Sequence, residues 1–245
     1  MDTKKFNFLK KVLGLRNEVL IKTAKTKEGE KNFVQVVDGN FSYMVQSTQH
    51  EKVFDGTFGL KNVKAFLKVA EEFDSFEVGK HEIIIKDDTR KFTFRKLLPD
   101  TVTDFELPEV KSDGYVNIAL TSDDIKEIKT GLKNNLSDYG SLIITSDNKL
   151  VLKIGISSPF TNIYEQVIKD IKREDDETEI IFNGKLADLT RLFDSFNIEE
   201  EDNKVNIALK PDQPLIVIER NSISNTKYFI ALSVDDDDED FEEDV

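Results

Sequence analysis

Several chemistries are excluded by what is missing. The 245-residue chain contains no cysteine, which removes a disulfide scaffold, a thiolate nucleophile and a cysteine-ligated zinc. Its two histidines, His50 and His81, have no metal-ligand pattern around them, and His81 beside Glu82 reads as a solvated strand start. No stretch approaches the roughly 18 consecutive apolar residues that a membrane helix needs. The opening Met1-Asp2-Thr3-Lys4-Lys5-Phe6 has neither the apolar run nor the small-residue cleavage site of a secretory leader. The expectation is a soluble protein of the cytoplasm that meets no membrane. Gly79-Lys80 and Gly184-Lys185 lack the remaining residues of a phosphate-cradling loop, and no Gly-x-Ser-x-Gly elbow is present. Asp87-Asp88 and Asp123-Asp124 are better explained as turn and helix-start residues than as metal carboxylates. No active site is legible, so the expectation is not an enzyme, with no cofactor and no metal.

What is present is a charge imbalance with a definite address. The net charge is −14. Residues 235–245, Asp-Asp-Asp-Asp-Glu-Asp-Phe-Glu-Glu-Asp-Val, hold nine acids and no base, and removing those nine leaves −5 on the first 234 residues. The tail has too little apolar surface to offset its ordering entropy and reads as disordered. Net charge says little about local patches, so a basic surface can still be hidden inside an acidic total.

Short apolar, β-branched stretches recur from Glu18–Thr23 to Lys227–Leu232, separated by turn signals such as Asp38-Gly39, Asp147-Asn148 and Pro211-Asp212. Alternation is clearest in Val205-Asn206-Ile207-Ala208-Leu209. The texture predicts antiparallel sheets with one buried face. Four segments follow helical spacing instead: Phe6, Leu9, Val12, Leu13; Leu60, Val63, Phe66, Leu67, Ala70; Ile125, Ile128, Leu132, capped by Thr121 or Ser122; and Leu186, Leu189, Leu192, Phe193. Leu9 to Ile128 is an offset of 119 and Leu60 to Leu186 one of 126. The chain therefore reads as a duplication of a helix–strands–helix–strands unit, with two unrelated α+β domains as the alternative. The expected boundaries are a first domain at 1–98, an extended Pro-containing connector at 99–114, a second domain at 115–234 and the tail at 235–245.

The lysines on these helices carry physical content. Lys61, Lys64 and Lys68 share a spacing that places them within about 60° on one helical face, and Lys126, Lys129 and Lys133 repeat it. Lys4, Lys5, Lys10 and Lys11 mark the first helix, whereas Lys185 and Arg191 on the fourth are opposed by Asp188 and Asp194. An exposed helix face is often lysine-rich for solubility alone. Three such faces in equivalent places of a repeat point instead to phosphate contacts without base reading, which gives sequence-independent, salt-sensitive binding. Aromatics do not interleave with the lysines, so stacking on single strands is not indicated.

Taken together, the duplicated pattern, the Pro-bounded connector and the lysine faces resemble DNA polymerase sliding clamps. The likeness is to the trimeric clamps of T-even-type bacteriophages and, more distantly, to proliferating cell nuclear antigen. Phe8-Leu9-Lys10-Lys11-Val12-Leu13 is similar to the first inner helix, Gly59 through Ala70 to the second, and Val205–Glu219 with Lys227–Leu232 to the closing hairpin and last strand. The resemblance spans about residues 4 to 234, through several weak motifs in order. It implies a duplicated α+β clamp fold, each domain with two helices on antiparallel sheets, closing head to tail as a homotrimeric ring around double-stranded DNA. It further implies a DNA polymerase tethered for processivity, an ATP-dependent clamp loader and, in the T-even-type phages, a late-transcription role; host-cell cytoplasm is then the expected location. By position, Phe41, Phe105, Leu107, Pro214, Phe229 and Leu232 are candidates for a partner-binding pocket, with Phe41 and Phe229 equally readable as core. Phe92 and Phe94 from the edge Lys91–Lys96, and Ile163, Tyr164 and Val167 from the edge Ile163–Lys169, are candidates for the subunit interface. Phe241 and Val245 in the tail are candidates for docking in a partner's groove or in the chain's own pocket, beside a purely solubilising tail. The alternative of another class is an acidic-tailed interaction scaffold or chaperone for basic partners.

Overall fold

The computed structural model describes residues 6–13, 15–73, 75–105, 113–134, 136–155, 162–173, 178–198 and 202–233. Lys4, Lys5, Leu107, connector residues 106–112 and the acidic tail with Phe241 and Val245 lie outside the described residues. Among the described residues there are four α-helices and fifteen strands.

The first half runs α1 (Asn7–Lys10), β1 (Glu18–Thr26), β2 (Gly29–Val37), β3 (Tyr43–Gln49), β4 (Phe58–Lys61), α2 (Val63–Glu72), β5 (Ser75–Val78), β6 (Glu82–Lys86) and β7 (Lys91–Leu97). A 3-10 turn at Pro99–Thr101 opens the connector. The second half runs β8 (Val116–Leu120), α3 (Ser122–Leu132), β9 (Tyr139–Ile144), β10 (Lys149–Ile154), β11 (Tyr164–Asp170), β12 (Ile180–Lys185), α4 (Leu186–Asp194), β13 (Lys204–Leu209), β14 (Leu215–Arg220) and β15 (Ser224–Ile230). The expected helix–strands–helix–strands order holds in both halves, on an antiparallel α+β frame.

Eleven strands form one sheet in the order β5-β6-β7-β4-β1-β2-β3-β15-β14-β13-β8, and β11-β10-β9-β12 form a second. The large sheet crosses from one half to the other where β3 meets β15, in a register running from Ser224↔Gln49 to Ile230↔Tyr43. Alternation sets the faces. In β13, Val205, Ile207 and Leu209 enter the core as the sequence pattern predicts.

The helices pack on the core faces because their apolar stripes have nowhere else to go. On α2 the buried residues are Val63, Phe66, Leu67 and Ala70. Around Phe66 the first half builds a phenylalanine cluster, with ring centroids 5.2 Å from Phe6 and 5.2 Å from Phe94 in edge-to-face contacts. Helix α3 begins on Thr121, which accepts from Asp124 N while Asp124 accepts from Thr121 N, a reciprocal cap. Ser122 is therefore the first helical residue and not the cap.

Two expected helices are shorter than their apolar spacing. Helix α1 is four residues long, and Leu13 is 38 % exposed beyond it. Leu60 and Lys61 belong to β4, and α2 starts only after Asn62, whose left-handed φ of 55° breaks the chain direction. Asparagine tolerates that conformation better than most side chains. Lys61 therefore does not share a helix face with Lys64 and Lys68.

The two expected edges differ. Strand β11 is an end strand of its sheet. Strand β7 is instead interior in strand order, between β6 and β4, but β4 reaches only Leu97 and Lys96. Along Lys91–Arg95, β7 has β6 on one side and no strand on the other among the described residues. Phe92 and Phe94 lie opposite Ile85 and Ile83 on the core-facing side; Phe94 packs inward, and Phe92 is 40 % exposed against Phe73. Ile163 and Val167 are exposed and Tyr164 is half-buried, its hydroxyl donating to Gln166 Oε1 at 2.5 Å. Val167 pairs with Val151, whose side chain stands outside the core cluster, so it faces away from the helices.

Candidate nucleic-acid interface

The basic residues singled out in the sequence fall into three groups by what their charges do. Lys61, Lys64, Lys68, Lys133 and Lys185 are exposed, and among the described residues none has a carboxylate within 4.0 Å. Lys10 and Lys126 stand in surface pairs, with Glu71 at 2.8 Å and Asp123 at 3.0 Å, whereas the exposed Arg191 lies 3.6 Å from Asp188, whose side chain is buried. Arg191 also lies 5.5 Å over the Tyr43 ring. Exposed pairs such as those of Lys10 and Lys126 contribute about 0–1 kcal/mol and exchange easily for a phosphate.

Lys11 and Lys129 are turned inward. Lys11 Nζ donates to Glu219 Oε1 at 2.8 Å and to Ser195 O at 3.0 Å, with only 7 % of its side chain exposed. Lys129 Nζ donates to Phe196 O at 3.0 Å, and burial pushes its ammonium below the ordinary lysine range. Both cations thus sit at the C-terminal end of α4, where unpaired carbonyls and the helix dipole favour positive charge. A lysine's spacing along a helix could not reveal this, because the carbonyls come from another helix far along the chain.

Glu219 is the centre of a buried hydrogen-bonded cluster. Its Oε1 also accepts from Asn203 Nδ2 at 3.0 Å, and its Oε2 accepts from the Tyr228 hydroxyl at 2.8 Å. Burial, with Glu219 beside it, drives the Tyr228 phenol well above its usual range. Because Lys11 caps the end of α1 and Glu219 belongs to β14, this ion pair ties the two halves together. A second tie runs from Ser42 Oγ to Asp188 Oδ2 on α4, at 2.8 Å.

On the opposite face of the large sheet lies an apolar platform. Ile216, Phe229, Met44 and Val37 are neighbours in register across β14, β15, β3 and β2. Phe229 is 5 % exposed yet stands outside the core cluster that holds Tyr228 and Ile230, so it faces away from the helices. Phe41 is 62 % exposed in the turn between β2 and β3, with a left-handed φ of 57°. Phe105 is half-buried, 5.5 Å from the Arg16 guanidinium, and Arg16 Nε donates to Val37 O at 2.9 Å. Pro214 is half-buried and accepts from the Tyr115 hydroxyl at 3.4 Å. Leu232 is half-buried against the core cluster. Met44, Ile216 and Val37 were not singled out in the sequence. Alternation marks their faces, but only the β3–β15 pairing brings them into one row.

No family model matches this sequence, and no curated protein does. Among solved structures, the chain is similar to PCNA from Thermococcus kodakaraensis, with 15% identity, 95% of this chain and 98% of that one covered, and a TM-score of 0.70. It is similar to A. fulgidus PCNA bound to the C-terminal region of FEN-1, with 12% identity, 96% of this chain and 97% of that one covered, and a TM-score of 0.72. It is also similar to the PCNA2–PCNA3 complex of Sulfolobus tokodaii, with 14% identity, 95% and 97% covered, and a TM-score of 0.66. These likenesses run through both halves and give the chain the fold of those proteins.

Proposed function

We propose that this chain, folded as PCNA subunits are, is one subunit of a DNA sliding clamp. The observation that carries the reading is the pairing of that whole-length fold with exposed lysines on and beside its helices that have no carboxylate partner among the described residues. Lys61, Lys64, Lys68, Lys133 and Lys185 contact the phosphates of double-stranded DNA first. Lys10 and Lys126 join by exchanging a surface carboxylate for phosphate, Arg191 joins with its exposed guanidinium, and Lys4 and Lys5 extend the set. Lys11 and Lys129 support it indirectly, by holding α4 in place. Such contacts are salt-sensitive and read no bases, so the ring holds the duplex while sliding.

Three copies join head to tail through β11, with Ile163, Tyr164 and Val167, and the open side of β7, with Phe92 and Phe94. Pairing satisfies backbone groups that one subunit leaves open. The platform of Phe229, Met44 and Ile216, flanked by Phe41, Phe105 and Pro214, receives partner proteins, with Leu107 and Leu232 as further candidates by sequence position. A tethered DNA polymerase gains local concentration at the primer end without chemistry by the clamp. An ATP-dependent loader opens the ring, and a late-transcription role follows if the chain works as T-even-type phage clamps do. The A. fulgidus PCNA with its FEN-1 segment is a precedent for docking, and the PCNA2–PCNA3 complex for assembly.

The test is light scattering across a dilution series. Three copies of a 28.0 kDa chain give about 84 kDa. A mass that stays at 28 kDa at every concentration overturns the ring. With a ring in hand, Lys64→Glu/Lys68→Glu is expected to leave the mass unchanged and to lower retention on closed circular DNA at least tenfold.

A further inference from the structure

A cleft of about 740 Å³ opens between α4 and the start of β9. Ala187, Thr190 and Arg191 form its helical wall, on the side of α4 opposite Leu189, Leu192 and Phe193, which enter the core. Leu186 and Tyr139 add apolar surface, and Lys185 closes the end where β12 runs into the helix. The volume falls in the range of about 300–1,000 Å³ that seats an organic group. Two cations face it. Lys185 is exposed with no carboxylate within 4.0 Å among the described residues. Arg191 has only the buried Asp188, 3.6 Å away and already accepting from Ser42 Oγ at 2.8 Å. Of the carboxylates on the lining, Asp194 acts on the Lys129 ammonium and Asp138 lies exposed at the rim.

The described chain ends beside this cleft. Ala231 N donates to Ser42 O at 2.9 Å, and Ser233 N to Asn183 O at 3.0 Å. Ser233 therefore lies on the outer side of the end strand β12, beside a residue two places before Lys185. Beyond it, residues 235–245 hold nine acids, no base and a single aromatic, Phe241. The eight steps from Ser233 to Phe241 span up to about 27 Å. Helix α4, nine residues long, measures about 14 Å. Phe241 therefore reaches every part of the cleft. Tethering at Ser233 holds it there at an effective concentration of about a millimolar, so a weak contact suffices.

We propose that the acidic tail folds back into this cleft of its own chain and competes there with polyanions. Phe241 sits against Leu186, Ala187 and Tyr139, and the carboxylates around it lie on Lys185 and Arg191. Apolar burial fixes the position, and charge adds a contribution that salt screens. The tail thereby offers carboxylates to the two cations that phosphates otherwise take. Duplex DNA displaces it by presenting a denser row of charge, so loose contacts are weakened more than a duplex held along its length. The competition rests on the clamp reading above; the docking of the tail does not.

The chain has no tryptophan, so Phe241→Trp places a single reporter in the full-length protein. Its quenching by acrylamide, which is uncharged, is compared with that of a synthetic peptide of residues 233–245 carrying the same substitution. The expected result is quenching about threefold weaker in the protein, at every protein concentration. Lys185→Glu/Thr190→Glu, which makes the cleft wall acidic, is expected to restore the peptide's quenching at an unchanged melting temperature. Lys185→Gln, which removes one exposed charge, is expected to move it part of the way and decides the matter if the double variant fails to fold. Quenching equal to that of the free peptide overturns the proposal. Protection that survives the cleft substitutions places the tail elsewhere, and protection lost on dilution assigns the cleft to a second copy's tail; either result overturns it too. Competition is read from the binding of a labelled duplex oligonucleotide at low salt to wild type and to Phe241→Ser, which keeps every charge of the tail. Binding about fivefold tighter by the variant is expected. Equal binding means that the tail docks without competing, and the proposal falls. If the duplex binds neither protein, the clamp reading fails and the competition with it, while quenching still decides the docking.

Discussion

Lys11 and Lys64 are both lysines at the helices, and burial makes them opposite experiments. Removing Lys11 leaves Glu219 charged in a site where 2 % of its side chain is exposed. Breaking a buried pair from one side costs about 3–5 kcal/mol, whereas replacing both partners with apolar groups of similar volume is often close to neutral. Lys11→Met is therefore expected to lower the urea midpoint sharply, and Lys11→Met/Glu219→Leu to recover most of the loss. If the single variant unfolds like wild type, the pair does not join the halves as described. Lys64→Glu, with no carboxylate partner to strand among the described residues, is expected to leave the midpoint within about 0.5 kcal/mol of wild type. Asp87 in the β6–β7 turn responds to pH instead. Hydrogen bonds from the Thr89 backbone first, then from Arg90, hold its carboxyl at about 2 rather than 3.8. A depressed carboxylate stabilises the fold above its unfolded value, and that contribution fades as pH falls from about 4 through about 2. Chemical-shift titration of Asp87 is expected to give a midpoint near 2, and Asp87→Asn to remove that turn's pH response.

At the level of elements, caps and alternation were the readable signals. Thr121 closes both halves of a reciprocal cap with Asp124. Thr121→Ala is expected to cost about 1 kcal/mol, measured as a lower melting temperature with unchanged mass; no change would mean that packing alone sets the start of α3. The interior strands announced themselves because five or more residues show a clear period of two. The four-residue strands Phe58–Lys61 and Ser75–Val78 did not. Leu60 also falls in step with Val63 and Phe66, so a strand residue mimicked the first turn of a helix, and only the left-handed Asn62 separates them. The same limit explains the lysines. Spacing shows which residues share a face, but not whether another element's carbonyls cover it, as Ser195 and Phe196 cover Lys11 and Lys129. The apolar platform was half legible for a related reason. Phe229 is visible in its own strand, whereas Met44 joins it only through a pairing between distant parts of the chain.

For the whole molecule, the proposed ring makes assembly depend on strand edges. Ile163→Asp/Tyr164→Ala places a charge and removes a ring at the start of the end strand β11. The expected outcome is a light-scattering mass of one subunit with a circular dichroism spectrum unchanged from wild type; a mass still near three copies would move the interface elsewhere. Within one subunit, the sheet crosses between the halves through seven paired positions of β3 and β15, reinforced by Lys11–Glu219 and Ser42–Asp188. The covalent bridge between the halves is consequently redundant for holding them together. A polypeptide cut within 106–112 should still migrate as one particle, with the break visible only after denaturation. Residues 1–105 and 113–245, made as separate polypeptides, should find each other and rebuild a subunit, which makes the molecule a natural candidate for a split reporter.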